Sequence, residues 1–193
     1  NIIKETLRLG REDFKAKKVD VLGIGKKGGD ILSKTLTVSS RHDAIYDDLN
    51  FSNTSSIALE AMEAFTEGQY DKVLVVYNRF KNAATQIVTT EQFLPLVAEQ
   101  DTSKQSAADY IYDPSQAAII DELLPKSLKM RLFKAVRDSF ASEHGARMTA
   151  MHKGTDNATE LRDQLKLTYN KARQAAITNE ILEIVGGAEA LNN

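Results

Sequence analysis

The sequence predicts a small α/β domain, Rossmann-like and three-layered, followed by one long C-terminal helix. Two observations carry this reading. Up to Pro114, short β-branched runs alternate with helical patterns, as expected where helices cover strands. After Pro125 the strand signals stop, and the chain to about residue 190 is proline-free and rich in Ala, Leu, Lys, Arg and Glu. The implied division is an α/β domain over 1–114 and a long helix over 115–193.

Taken in order, residues 2–17 read as a helix through Ile2, Ile3, Leu7 and Phe14. Residues 19–24 (VDVLGI) read as a short buried strand entered from the basic run 15–18. Residues 25–35 are a glycine-rich turn leading into a short helix, and a weak strand is expected near 43–49. Residues 54–67 form a helix, with Ile57, Ala61 and Phe65 at four-residue spacing and Gly68 just past the end. Residues 72–80 (KVLVVYNRF) are the strongest strand, and 85–94 (TQIVTTEQFL) are its hairpin partner across 81–84. Residues 96–109 are polar and loop-like, and 110–112 (YIY) suit one more short strand. Residues 115–124 make a helical turn or two, and Pro125 suits the first turn of a new helix, where its missing N–H costs nothing.

A single helix over 126–190 would be on the order of 100 Å long. A domain of about 100 residues has a radius of gyration near 13 Å, so most of that helix is expected to project beyond it. Leu161, Leu165, Thr168, Ala172, Ala175, Asn179 and Leu182 step by four and three along it. That spacing makes a coiled-coil seam facing another helix. The seam turns from leucines to small residues, which let a second helix approach closely. Gly154 costs about 1 kcal/mol in a helix interior. Thr155, Asp156 and Asn157 are good N-caps, and Glu160 completes a capping-box spacing, so a break near 153–157 is open. Gly145 raises the same question more weakly.

Bulk properties narrow the function. The 193 residues are 42% hydrophobic and 27% charged, ordinary for a folded domain, with net charge -2. That balance argues against a general nucleic-acid binder. Without cysteine there are no disulfides, thiolate metal sites or cysteine nucleophiles. No apolar run approaches the roughly 18 residues of a membrane span, so membrane association is expected through another protein. The chain opens at Asn1 directly into a helical pattern, which suggests a fragment of a longer protein.

Gly23, Gly25 and Gly28 in GIGKKGG match the dinucleotide fingerprint GxGxxG after a strand and before a helix. Asp43 stands about 20 residues on, where a ribose-binding acid is expected. The bland reading is a strand-to-helix turn that needs glycine for its backbone angles. No Lys-Ser or Lys-Thr follows, so this is not a Walker loop. His144 and His152 are two helical turns apart, too far for a metal pair, and they and His42 read as surface or seam residues. Asp47 and Asp48 are neighbours whose side chains diverge, and no serine sits in a nucleophile elbow. No catalytic, cofactor-binding or metal-binding residue and no cofactor is assigned. In KARQAAITNE (171–180), Lys171, Arg173, Gln174, Thr178, Asn179 and Glu180 offer charge and hydrogen bonding among alanines. Arg173 and Gln174 can reach a partner's carboxylate or backbone.

SEHGARMTAM (142–151) and LTYNKARQAAITNEILEIVGGAEAL (167–191) resemble the C-terminal helix of the gamma subunits of F-type ATP synthases. VVYNRF (75–80), YIYDPS (110–115), ELLP (122–125) and IGKKGGD (24–30) resemble further segments of that family, the last a turn found there without nucleotide. The likeness runs through essentially the whole chain, but the family's N-terminal helix and first strand have no counterpart here. The resemblance implies a non-catalytic central rotor that couples proton flow to ATP synthesis or hydrolysis. It implies an antiparallel coiled coil with the family's N-terminal helix. The implied partners are the alpha and beta subunits, the epsilon subunit and the c-ring, with no nucleic acid and no direct membrane insertion. It places a beta-subunit contact at Arg173, Gln174 and Thr178, with Glu180 beside them. A peripheral position on the cytoplasmic side of a bacterial inner membrane is expected. The rival readings are a dinucleotide-binding oxidoreductase using 23–28 and a non-rotary coiled-coil scaffold.

Overall fold

Apolar residues at helical spacing open the chain into α1, Ile2–Arg8. The computed structural model describes residues 1–15, 17–96, 112–113 and 115–191. The helix expected over 2–17 is shorter than its pattern, because Leu9–Asp13 widen into a π-helical turn ending at Phe14. Gly10 lies within that turn, against Leu36, and glycine is a poor helix former.

The strand β1 is Asp20–Ile24. It enters α2, Lys26–Leu32, through Gly25, whose φ of 101° lies where a side chain is strained. A Cβ there would also meet the Tyr46 ring at 2.9 Å. The chain returns in β2, Thr37–His42, which runs parallel to β1. The strand expected near 43–49 is therefore displaced: residues 43–47 form turns. Thr37 and Val38 are β-branched and burial alternates along β2, whereas Asp47, Asp48 and Asn50 favour local hydrogen bonds. Asn50 Oδ1 accepts the Asn53 N–H at 2.8 Å and so caps α3, Phe51–Thr66.

Gly68 follows α3 at φ 74°, with the Gln69 N–H returning to the Ala64 carbonyl at 3.0 Å. Then β3, Val73–Asn82, and β4, Thr85–Leu94, form the expected antiparallel hairpin. Its turn is held by Asn82 Oδ1, which accepts the Ala84 and Thr85 N–H groups at 3.1 and 2.7 Å. Among the described residues the strands form two pairs, β1–β2 and β3–β4. The expected loop 96–109, strand 110–112 and break at Pro114 fall, apart from Leu96 and Tyr112, outside the described residues.

The final helix, α4, is Gln116–Leu191. The Ser115 hydroxyl accepts the Ala118 N–H at 3.3 Å at its start. A new helix expected at Pro125 does not form, since Pro125 lies within α4. The residues on both sides are good helix formers, so the proline removes one backbone hydrogen bond without ending the helix. Nor does Gly154 interrupt it. The would-be cap residues act inside the helix instead. Thr155 Oγ1 donates to the Met151 carbonyl at 3.1 Å, and the Asp156 carboxylate lies 3.4 Å from His152 Nδ1.

Contacts divide the chain into two units, Asn1–Ala146 and Arg147–Asn193. The core of the first joins Ile57 and Ala58 of α3, Phe93 and Leu94 of β4, and Leu128, Leu132 and Val136 of α4, with Ile45. Leu22, Ile24, Val73 and Val75 pack against it. Each large aliphatic side chain buried there contributes about 1.5–3 kcal/mol. In the second unit, α4 is exposed on every side over residues 147–188.

Candidate partner-binding surfaces of the C-terminal helix

The seam leucines show how α4 carries its apolar side chains in the second unit. Leu161, Leu165 and Leu182 are 56, 60 and 63% exposed, and Thr168, Ala172, Ala175 and Asn179 are exposed with them. At about 100° per residue these seven positions fall within a stripe roughly 100° wide. Thr168 directs its hydroxyl to the Gln164 carbonyl at 3.0 Å, so it presents its methyl rather than an unsatisfied donor.

Helix geometry does not gather the polar candidates on one face. Arg173 and Glu180 are seven residues apart and share one flank of the seam, while Gln174 and Thr178 lie on the other flank. All four are exposed. Thr178 Oγ1 donates to the Gln174 carbonyl at 2.9 Å. Arg173 makes no ion pair among the described residues, which leaves its guanidinium able to meet a partner carboxylate or carbonyl.

A second apolar stripe lies outside the residues that the seam spacing selects. Ile177, Ile181 and Ile184 are 48, 54 and 72% exposed. They step by four and three on the side of α4 roughly opposite the seam. Their four-and-three spacing is legible in the sequence, as is that of the leucine-led stripe. A helix with two opposed apolar stripes, both uncovered, needs covering on two sides.

The glycine-rich turn is built differently from a nucleotide site. A Cβ on Gly29 would meet the Arg41 guanidinium at 3.0–3.3 Å, whereas one on Gly28 would meet nothing within 4 Å. Arg41 pairs with Asp30 at 2.7 Å and with Asp43 at 2.8 Å. These two carboxylates hold the Arg41 pKa above its ordinary value. Asp43, the candidate ribose ligand, is thus engaged by an arginine. A Cβ on Gly23 would lie 3.5 Å from Gly29 Cα, an ordinary contact, and Gly25 supplies the positive φ that the turn requires.

The histidines have ordinary partners. His42 Nε2 lies 2.9 Å from Glu60 and 3.3 Å from Ser40 Oγ, half-buried rather than on the surface. His144 stands edge-on to Phe140, and His152 pairs with Asp156. The Asp48 carboxylate accepts from the Asn50 and Asn53 amides at 2.9 and 3.2 Å ahead of α3. No cluster among the described residues could hold a metal ion, and no described helix is long and apolar enough to cross a membrane.

Comparison with known proteins agrees with this arrangement of a small α/β unit and a bare helix. The family model described as ATP synthase matches residues 1–191. The ATP synthase gamma chain of Flavobacterium johnsoniae is 65% identical over 193 residues, covering 100% of this chain and 67% of that one. That of Christiangramia forsetii is 62% identical over 192 residues, again covering 100% and 67%. The chain therefore spans about two thirds of the length of these relatives. A chain of the Euglena gracilis mitochondrial ATP synthase, in a structure of OSCP, F1 and c-ring, superposes with a TM-score of 0.61 at 20% identity, over 97% of this chain and 67% of that one. A chain of the Tetrahymena thermophila mitochondrial ATP synthase central stalk and c-ring gives 0.57 at 23% identity, over 79% and 67%. At those identities the two structures speak for the fold. Family model and relatives together show that the chain belongs to the ATP synthase gamma-chain family, the non-catalytic rotor subunits of the F-type ATP synthase central stalk.

Proposed function

We propose that the two uncovered stripes of α4 and the polar residues between them are the working surfaces of this rotor. The seam Leu161, Leu165, Thr168, Ala172, Ala175, Asn179 and Leu182 packs against an antiparallel sister helix. Arg173, Gln174, Thr178 and Glu180 meet the beta subunit as the shaft turns within the alpha–beta hexamer. Residues 1–114 serve as the foot on the c-ring beside the epsilon subunit, and 115–193 serve as the shaft. The assembly sits on the cytoplasmic side of a bacterial inner membrane and couples proton flow to ATP synthesis or hydrolysis.

The observation that carries this reading is the exposure of α4 throughout residues 147–188, with large apolar side chains on opposite sides. Leaving so many aliphatic side chains in water forgoes burial worth about 1.5–3 kcal/mol each. Partners recover it. Polar contacts suit a shaft that must release one beta subunit and engage the next. Coupling requires contacts that differ between states, rather than tight binding in one of them.

The test is the double change Arg173→Ala with Gln174→Ala in the full-length subunit, assembled with the alpha–beta hexamer. Charge-assisted hydrogen bonds are worth about 1.5–3 kcal/mol each, so stimulation of ATP hydrolysis is expected to fall about tenfold. Stimulation equal to that of the unchanged subunit, at equal assembly, would remove the beta-contact assignment.

A further inference from the structure

A rotor needs a point where torque passes between its α/β unit and its helix. Burial of apolar surface holds the two together but is non-directional, so it resists separation better than turning. The contacts that oppose turning are directional ones at the helix surface, and best of all on opposite sides of it.

Such contacts concentrate in one stretch of α4. Ser142 is fully buried, and its Oγ donates to the Asn78 carbonyl of β3 at 3.0 Å. One turn on, Gly145 meets the hairpin turn. A Cβ there would lie 3.1 Å from Ala83 Cα, 3.3 Å from the Ala83 carbonyl oxygen and 3.4 Å from the Phe80 ring. The hairpin end thus enters a notch that glycine leaves open. Across the helix, Phe140 stacks on Tyr46 with ring centroids 5.4 Å apart at 11°. His144 closes edge-on against Phe140 at 4.4 Å. Ser142 and Gly145 lie roughly 150° around the helix from Phe140 and His144. All of these residues belong to the unit Asn1–Ala146.

We propose that Ser142 and Gly145, gripped by the Asn78–Ala83 end of the hairpin and opposed by the Tyr46–Phe140–His144 stack, form the clamp that transmits torque between the α/β unit and α4. The proposal rests on the rotor reading and deepens it. Ser142 and Gly145 are positioning residues: they touch no nucleotide and act through the orientation of the helix. Along α4, the apolar core contacts at Leu128, Leu132 and Val136 hold the unit together, and the clamp keeps the helix from slipping.

The experiment places Ser142→Ala and Gly145→Val separately in the full-length subunit within the complete synthase, reconstituted in vesicles. Membrane potential generated by added ATP is read with a voltage-sensitive dye, which responds whichever cation is moved. ATP hydrolysis is measured on the same vesicles. The readout is potential generated per ATP hydrolysed, at equal subunit content. Loss of one buried hydrogen bond predicts a ratio about three- to tenfold lower for Ser142→Ala. Gly145→Val is expected to lower it at least as much, since its side chain must push the hairpin off the helix. Leu132→Ala, a lesion in the core, should reduce the yield of complex and leave the ratio unchanged. An unchanged ratio in Ser142→Ala, or an equal fall in Leu132→Ala, overturns the clamp. Ser142→Ala only removes an oxygen, so its result decides the matter even where Gly145→Val does not assemble. A potential generated equally well by vesicles lacking the gamma chain would instead overturn the rotor reading.

Discussion

Tyr77 shows how much one residue of this chain depends on its neighbours. It is 6% exposed, and its phenol donates to Glu91 Oε1 at 2.8 Å. Burial first, and then the Glu91 carboxylate, push its pKa up to about 12, against about 10 for a free tyrosine. The neutral phenol is therefore favoured in the folded chain. The stability it contributes is complete below pH 10 and is lost as pH rises from about 10 through about 12, where the unfolded chain releases the proton first. Tyr77→Phe should flatten that part of the curve, measured as chemical-denaturation stability between pH 9 and 12 relative to the unchanged subunit. A parallel decline in both proteins would place the phenol's titration outside the folding equilibrium. Arg131 lies on the same corner, donating to the Gln92 carbonyl at 3.3 Å, and so ties α4 to the hairpin edge.

At the scale of elements, α4 carries the sharpest expectation. Gly154 has nothing within 4 Å of where its Cβ would be, and it lies inside an unbroken helix. Gly154→Ala should therefore stabilise that stretch by about 1 kcal/mol. Slower amide hydrogen exchange over 147–160 in the full-length subunit is the measurement. Faster or unchanged exchange would mean that glycine serves a bend there. Other elements teach how patterns compete. The hairpin was readable because both runs have strong β-formers, with Asn82 supplying turn chemistry between them. β2 lies one segment before the strand that the sequence suggests near 43–49. TVSSRH is a polar, partly exposed strand whose alternation is weak in hydrophobicity and visible only in burial. α1 is shorter than its pattern because helical spacing continues past Gly10 while the backbone widens.

For the whole molecule, the decisive expectation concerns nucleotides. Asp43 is paired with Arg41, Gly25 supplies the turn's positive φ against the Tyr46 ring, and Gly29 leaves room for the Arg41 guanidinium. Calorimetric titration of this chain with ATP, NAD or NADP is expected to give no saturable heat. Saturable binding of a dinucleotide, lost on Asp43→Ala, would restore the oxidoreductase reading.

Fold class and family membership were both legible in the residues alone. The strand–helix alternation and the proline-free C-terminal run are local, and the motifs at 142–151 and 167–191 are contiguous, so both can be read without three dimensions. Helical spacing is a one-dimensional property, so the sequence also puts Leu161, Leu165, Thr168, Ala172, Ala175, Asn179 and Leu182 on one stripe of a helix. That Pro125 and Gly154 leave α4 whole emerges from the fold, since it depends on what surrounds each position. The structure alone brought Ser142 to Asn78, 64 residues away, and Gly145 to Ala83. Nothing in a serine or a glycine within a helical pattern announces a buried hydrogen bond or a notch. Such contacts arise from packing between distant segments, which local spacing does not encode. The long helix, bare over 147–188, is held from two sides at 140–145.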